Sequence, residues 1–196
     1  DDRDPTAEYY ALLAEAADED LSDIAALNIV YQSGEDAAGR AIIVFMAPHI
    51  PATRVDQGRV AKYLFSVLDD VVERAFVLVY VHSSISKSNT PSYPWLLRIH
   101  SMLPRPWRKN LHKLIVLHPA FWLKAALLFM RPKLSKKFWA KLTYCDQVRQ
   151  LYRALPRGEH DVLLLPESVY RVDQAKNNAE YRAALGSRSA ARAAAA

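Results

Sequence analysis

Residues 76–81 read Phe-Val-Leu-Val-Tyr-Val, a continuous apolar and largely β-branched run that follows a long apolar stripe. The stripe consists of Val60, Tyr63, Leu64, Val67, Leu68, Val71 and Val72. Its three- and four-residue steps trace one face of an α-helix. A strand without polar alternation is apolar on both faces, so both faces must be covered. An amphipathic helix leading into it supplies one cover. The pair predicts a parallel strand reached through a crossover helix, the repeating unit of an α/β fold.

The same logic extends along the chain. Residues 27–31 and 41–47 are short apolar runs, and the turn-rich 33–40 between them, with Gly34 and Gly39, predicts a hairpin. Residues 114–117 and 142–145 read as further buried strands. Helices are expected over 92–103, with Pro94 tolerated in the first turn, and over 119–130 and 148–155. Thr53 and Asp56 form a capping pair for the striped helix. Tyr9, Leu12, Leu13, Ala16 and Ala17 mark a helical lead-in. The expectation is a mixed, mostly parallel sheet flanked by helices: a lead-in over 1–26, a domain over 27–173, and an Ala-rich helical or disordered tail over 174–196. A chain of 196 residues suits one well-buried core and is short for two.

Charge is distributed in blocks. Residues 1–73 hold 15 acids and 5 bases, residues 74–145 hold 13 bases and no acid, and residues 146–196 hold 6 acids and 8 bases. Such asymmetry bears on partners rather than on fold. The longest apolar run, 120–130, is broken by Lys124 and as a helix would reach only about 17 Å, against a hydrocarbon core of about 30 Å. The single cysteine, Cys145, precludes an internal disulfide and points to a reducing compartment. A cytoplasmic protein, peripheral at a membrane, is the expectation. The chain opens on Asp1 without Met, which reads as a trimmed start and leaves an organellar assembly open.

Catalytic and metal chemistry find little support. No glycine-rich phosphate loop follows a strand, no paired Cys/His cluster spaces a metal site, and no nucleophile elbow is present. No cofactor is expected and the chain is read as not an enzyme. His82 and His118 each close a predicted strand, where α/β proteins place ligands. Ser83 or Ser84 beside His82 suggests a Ser–His pair, with Asp56, Asp69 or Asp146 as candidate carboxylates. The plainer reading, favoured here, is that both histidines bond loop backbone. Cys145 reads as a core thiol.

Several segments in order resemble the divergent CRAL-TRIO family. They are Val77-Leu78-Val79-Tyr80-Val81-His82, Asn89 with Pro91-Ser92 and Trp95-Leu96, Leu114-Ile115-Val116-Leu117-His118-Pro119-Ala120-Phe121-Trp122, and Leu165-Pro166-Glu167-Ser168-Val169. The likeness runs from about residue 20 to 173. It is strongest to BCH-type domains of Rho GTPase-activating and scaffold proteins, and to the carboxy-terminal domain of ganglioside-induced differentiation-associated macro-domain proteins. Glu19-Asp20-Leu21-Ser22-Asp23 and Tyr31-Gln32-Ser33-Gly34 favour the latter. The resemblance implies an apolar pocket under a gate helix. It maps the gate to residues 119–130, with Phe121, Trp122, Ala125, Leu128 and Phe129 closing the pocket over a bound lipid.

The basic residues bracket that gate: Arg108, Lys109 and Lys113 before it, Arg131, Lys133, Lys136 and Lys137 after it. If clustered, they form an anionic-surface site, each cation contributing about 1 kcal/mol near an anionic membrane. The competing expectation is a basic face that balances the acidic amino-terminal block. Two functional classes follow. One is a lipid-binding or membrane-docking module that also engages a small GTPase. The other is a scaffold or accessory subunit of a larger assembly, without lipid. Nucleic acid is disfavoured, since the tryptophans fall at core-like spacing and no nucleic-acid motif occurs.

Overall fold

The computed structural model describes residues 5–50, 55–86, 89–90, 93–155 and 163–179. Helices α1 (Pro5–Asp18) and α2 (Ser22–Ala25) lead into strands β1 (Val30–Glu35) and β2 (Ala41–Met46). Helix α3 (Gln57–Val72) crosses to β3 (Phe76–Val81), and α4 (Tyr93–Met102) with α5 (Arg105–Asn110) crosses to β4 (Leu111–Leu117). Helices α6 (Phe121–Phe129) and α7 (Lys136–Lys141) then lead to β5 (Leu142–Cys145), followed by α8 (Val148–Ala154) and a helix α9 over 167–179. The strands lie in the order β1-β2-β3-β4-β5. Only the β1–β2 pairing is antiparallel. The mixed, mostly parallel sheet flanked by helices is as the sequence predicts.

Local chemistry explains where elements begin. Asp56 is the N-cap of α3, its carboxylate accepting the Gly58 N–H at 2.6 Å and the Arg59 N–H at 3.3 Å. A Cβ on residue 58 would stand 3.0 Å from that oxygen, so a side chain there would press on the cap. Thr53, the other half of the expected capping pair, lies outside the described residues. The hairpin turn is tied by Asp36, which accepts the Ala38 and Arg40 N–H groups and pairs with the Arg40 guanidinium at 2.7 Å. Strand β1 runs further than 27–31, because Gly34 at φ 71° lets an irregularity in the ladder absorb the turn-like residues.

Two apolar layers enclose the sheet. On one side α1, α3 and α4 pack through Tyr9, Val60, Leu64, Phe65, Leu68 and Met102 against Val30, Ile43 and Phe76. The Tyr9 hydroxyl donates to Asp69 and accepts from the Trp107 indole, and burial with the carboxylate partner holds its pKa above the ordinary tyrosine range. On the other side α8, the segment before α9 and the start of α9 cover the sheet through Val148, Leu151, Leu163 and Val169. Strand β4 starts at Leu111, before the apolar run begins. Its Lys113 keeps its stem along the sheet and donates its ammonium to the Ala154 carbonyl at 2.9 Å.

Candidate functional site

The carboxyl ends of β3, β4 and β5 carry the features of interest. Register aligns Phe45, Tyr80, Val116 and Tyr144 in one row across the sheet, with Ile43, Leu78, Leu114 and Leu142 in the row below. Ile43 and Val116 are buried, but Phe45, Leu78, Tyr80, Leu114, Leu142 and Tyr144 are only half-buried. Tyr80, Leu114, Leu142 and Tyr144 belong to neither core cluster. The strands therefore leave an apolar, partly open surface on the α4–α6 side.

Helix α6 starts at this surface. Its Trp122 ring meets His82 edge-on at 5.0 Å between centroids, and His82 stacks on Tyr80 at 5.8 Å, which stacks on Phe45 at 5.6 Å. Lys124 lies 5.5 Å from the Tyr144 ring centroid and pairs with Asp146 at 3.1 Å. One side of the helix faces outward, with Phe121 87 % exposed, Phe129 82 %, Leu128 58 % and Trp122 47 %, while Leu123, Ala126 and Leu127 are half-buried. Ala125 is exposed as well, and none of the helix's residues is buried. Of the five residues mapped to the gate, Trp122 has its face on the strand ends while Phe121, Leu128 and Phe129 present theirs to solvent. No helix among the described residues is long and apolar enough to cross a membrane.

The cations fall into separate places. Lys141 of α7 donates to the Arg108 and Lys109 carbonyls at 3.2 Å, bringing the ends of α5 and α7 together. Arg108, Lys109, Arg131, Lys136 and Lys137 are exposed, with no carboxylate partner among the described residues. The Lys133 side chain lies outside the described residues. Lys113, on the opposite face of the sheet, stands apart from the others. The ion pairs of the acidic amino-terminal block are chiefly with its own bases: Arg59 pairs with Glu19 and Asp23 at 2.6 Å, and Lys62 with Glu15 and Glu19. Those contacts hold the Glu19 and Asp23 carboxyls below their usual range. From the central block, Arg98 alone among the described residues reaches an acid of that segment, Glu8.

Beside α6 lies a cavity of about 250 Å³ whose lining includes His82, Ser83, Ser84, His118, Ala120 and Lys176. His118 sits between two partners, Ser83 Oγ at 2.7 Å from Nδ1 and Asp173 Oδ1 at 3.1 Å from Nε2. Burial pushes its pKa down, against the opposing pull of Asp173. A neutral ring that donates from Nε2 to Asp173 and accepts the Ser83 hydroxyl at Nδ1 satisfies both contacts. Asp173 also accepts the Val148 N–H at 2.6 Å, so the string ties α9 to β4 and α8. Burial of His82, helped by the charge of Lys176, lowers its pKa to about 4. Cys145 is buried and its thiol is pushed up to about 11 by desolvation, as befits a core thiol. The sequence reading paired serine with His82 and missed Asp173. The carboxylate lies 55 residues beyond His118, and only the return of α9 across the sheet brings it close.

These features define an α/β domain whose sheet is sealed on one face and partly open on the other. Residues 39–174 match the family described as the divergent CRAL/TRIO domain, and the chain belongs to that family. It is 40% identical over 163 residues to the Rho GTPase-activating protein gacY of Dictyostelium discoideum, covering 83% of this chain and 22% of that protein. It is 34% identical over 173 residues to the protein GDAP2 homolog of Drosophila melanogaster, covering 88% of this chain and 32% of that one. The chain thus spans a third or less of these two relatives. The crystal structure of Sfh5 shares the fold with a TM-score of 0.54 at 9% identity, covering 76% of this chain and 64% of that one.

Proposed function

We propose that this chain is a non-catalytic lipid-binding module that docks reversibly on anionic membranes through α6 and the cations around it. The observation that carries the reading is α6 itself. Nine residues end on two phenylalanines that are more than four-fifths exposed, beside an incompletely covered apolar sheet surface. An exposed apolar cluster of this kind marks an interaction surface. Family membership supports a hydrophobic ligand on the open face, under Tyr80, Leu114 and Tyr144. Arg131, Lys136 and Lys137 next to α6, without a carboxylate partner among the described residues, favour a negatively charged surface. Such a module works at the periphery of a membrane, on its cytoplasmic side. The name of the Dictyostelium relative makes a Rho-type GTPase the first protein partner to test.

Co-sedimentation with phosphatidylserine-containing and phosphatidylcholine-only vesicles at about 0.1 M salt, where the Debye length is about 10 Å, tests the docking. Binding to the former alone is expected. Replacing Arg131, Lys136 and Lys137 by Glu removes about 3 kcal/mol of attraction or more, at least a hundredfold in affinity. Equal binding of wild type and triple variant defeats the cationic part. Phe121→Ser with Phe129→Ser should abolish vesicle binding while the domain stays folded. Native mass spectrometry reads out the open sheet face: a co-purifying lipid is expected. A lipid-free chain that ignores vesicles would leave the scaffold reading in its place.

A further inference from the structure

The cavity beside α6 has a lining that neither apolar ligand binding nor membrane docking uses. His82 is 2 % exposed, yet neither ring nitrogen has a hydrogen-bond partner among the described residues. Leaving a buried polar group unsatisfied is costly, so an unpaired imidazole beside a cavity calls for a ligand. Lys176, from α9, lines the same cavity and has no carboxylate partner among the described residues, and its charge reaches both His82 and His118. The two nearby carboxylates are occupied: Asp173 by His118, Val148 and Asn177, and Asp146 by Lys124. Ala120, also on the wall, is the N-cap of α6 and offers no side-chain acceptor to the first-turn N–H groups. That helix end carries partial positive charge. Ser84, held at φ 58° by the turn after β3, adds a hydroxyl.

We propose that this cavity binds a phosphate group, free or as the terminal phosphomonoester of a larger molecule, through Lys176, His82, Ser84 and the start of α6. Lys176 supplies the charge, and a small turn of the His82 ring, whose nitrogens are covered in this structure, supplies an N–H. Ser83 and His118 remain engaged with each other and set the back wall. The site does not depend on whether the open sheet face holds a lipid.

Isothermal titration of the full chain with inorganic phosphate, and separately with glycerol phosphate, tests the site; saturable binding is expected. Lys176→Ala should weaken it at least tenfold, and Lys176→Arg should restore most of it. In a histidine NMR titration, bound phosphate raises the pKa of His82 by about one unit or more, because an adjacent anion favours the charged ring. His118, Lys176, Asp173 and Asp146 are the other ionisable groups there, and the same spectra report His118. A structural role for Lys176 would leave that shift unchanged. Vesicles containing phosphatidic acid separate the sources. Competition by free phosphate, lost in Lys176→Ala, identifies a lipid headgroup; phosphate binding that such vesicles do not disturb identifies a soluble phosphomonoester. Absence of binding at millimolar phosphate, or equal affinity in Lys176→Ala, overturns the proposal. The Phe129→Ser variant, altered at the far end of α6, keeps phosphate binding while vesicle binding falls, so failure of the docking reading is told apart from failure of this one.

Discussion

The two faces of the sheet are built from neighbouring residues of the same strands and end in opposite conditions. On the face covered by α8 and α9, Ile42, Val44, Met46, Val77, Val79, Val81, Ile115, Leu117 and Cys145 are all buried. On the other face Ile43 and Phe76 are sealed by α1, α3 and α4, but Leu78, Tyr80, Leu114, Leu142 and Tyr144 keep partial exposure. Composition does not separate the faces, for both are apolar. Coverage separates them: α3 and α4 pack against Val30, Ile43 and Phe76, while α6 buries none of its residues and shows Phe121, Leu128 and Phe129 to solvent. One face spends its apolar surface on stability, and the other keeps part of it available for binding.

That contrast makes Ile115→Ala the most damaging change. It should cost about 2–5 kcal/mol in urea unfolding, through lost burial and a residual cavity. Leu114→Ala, one residue away and facing the open side, should cost about 1 kcal/mol; equal losses would erase the distinction between the faces. Asp173→Ala comes next. It strips partners from the buried His118 and from the Val148 N–H, and about 2–3 kcal/mol should be lost, with α9 amides exchanging first.

Acid tests the edge between the faces. The pKa of His82 in the folded protein is lowered to about 4, while the unfolded side chain titrates near 6.5. The unfolded state therefore binds more protons between those values. Stability is intact above about pH 6.5 and falls as pH drops towards 4, by about 1 kcal/mol per pH unit from this group. His82→Phe should flatten that slope in thermal melts at pH 5 and 7; an unchanged slope would place the acid sensitivity elsewhere, with His118 the next candidate. The smallest effect belongs to α6. Phe121→Ala and Phe129→Ala should move stability by no more than about 0.5 kcal/mol each, since little area is buried there. A loss of 2 kcal/mol would mean that α6 folds against the sheet in solution.

Much of the frame was legible. The six-residue run of β3 and the stripe of α3 carry strong periodic signals, and both appear where predicted. Helices α5 and α7 were missed because six residues cannot display an apolar stripe, and α7 depends on the Ser135 cap accepting the Phe138 N–H at 3.1 Å. Residues 174–179, read from the sequence as the start of an Ala-rich helical or disordered tail, are helical. They continue the helix that starts at 167, and that helix delivers Asp173 and Lys176 to the strand ends.

From the sequence alone come the α/β class, the family resemblance and the acid-free cationic block around an apolar helix. Each is written in local periodicity or in residue counts, which do not depend on what lies opposite. Tertiary structure decided which sheet face is sealed, that α6 shows Phe121 and Phe129 to solvent, and that the acidic amino-terminal block takes up its own Arg59 and Lys62. It also decided that Ser83, His118 and Lys176 meet at one cavity, with Asp173 bonded to His118. Burial, ion pairing and the satisfaction of a buried imidazole are set by neighbours distant in sequence, and only the packed chain chooses them.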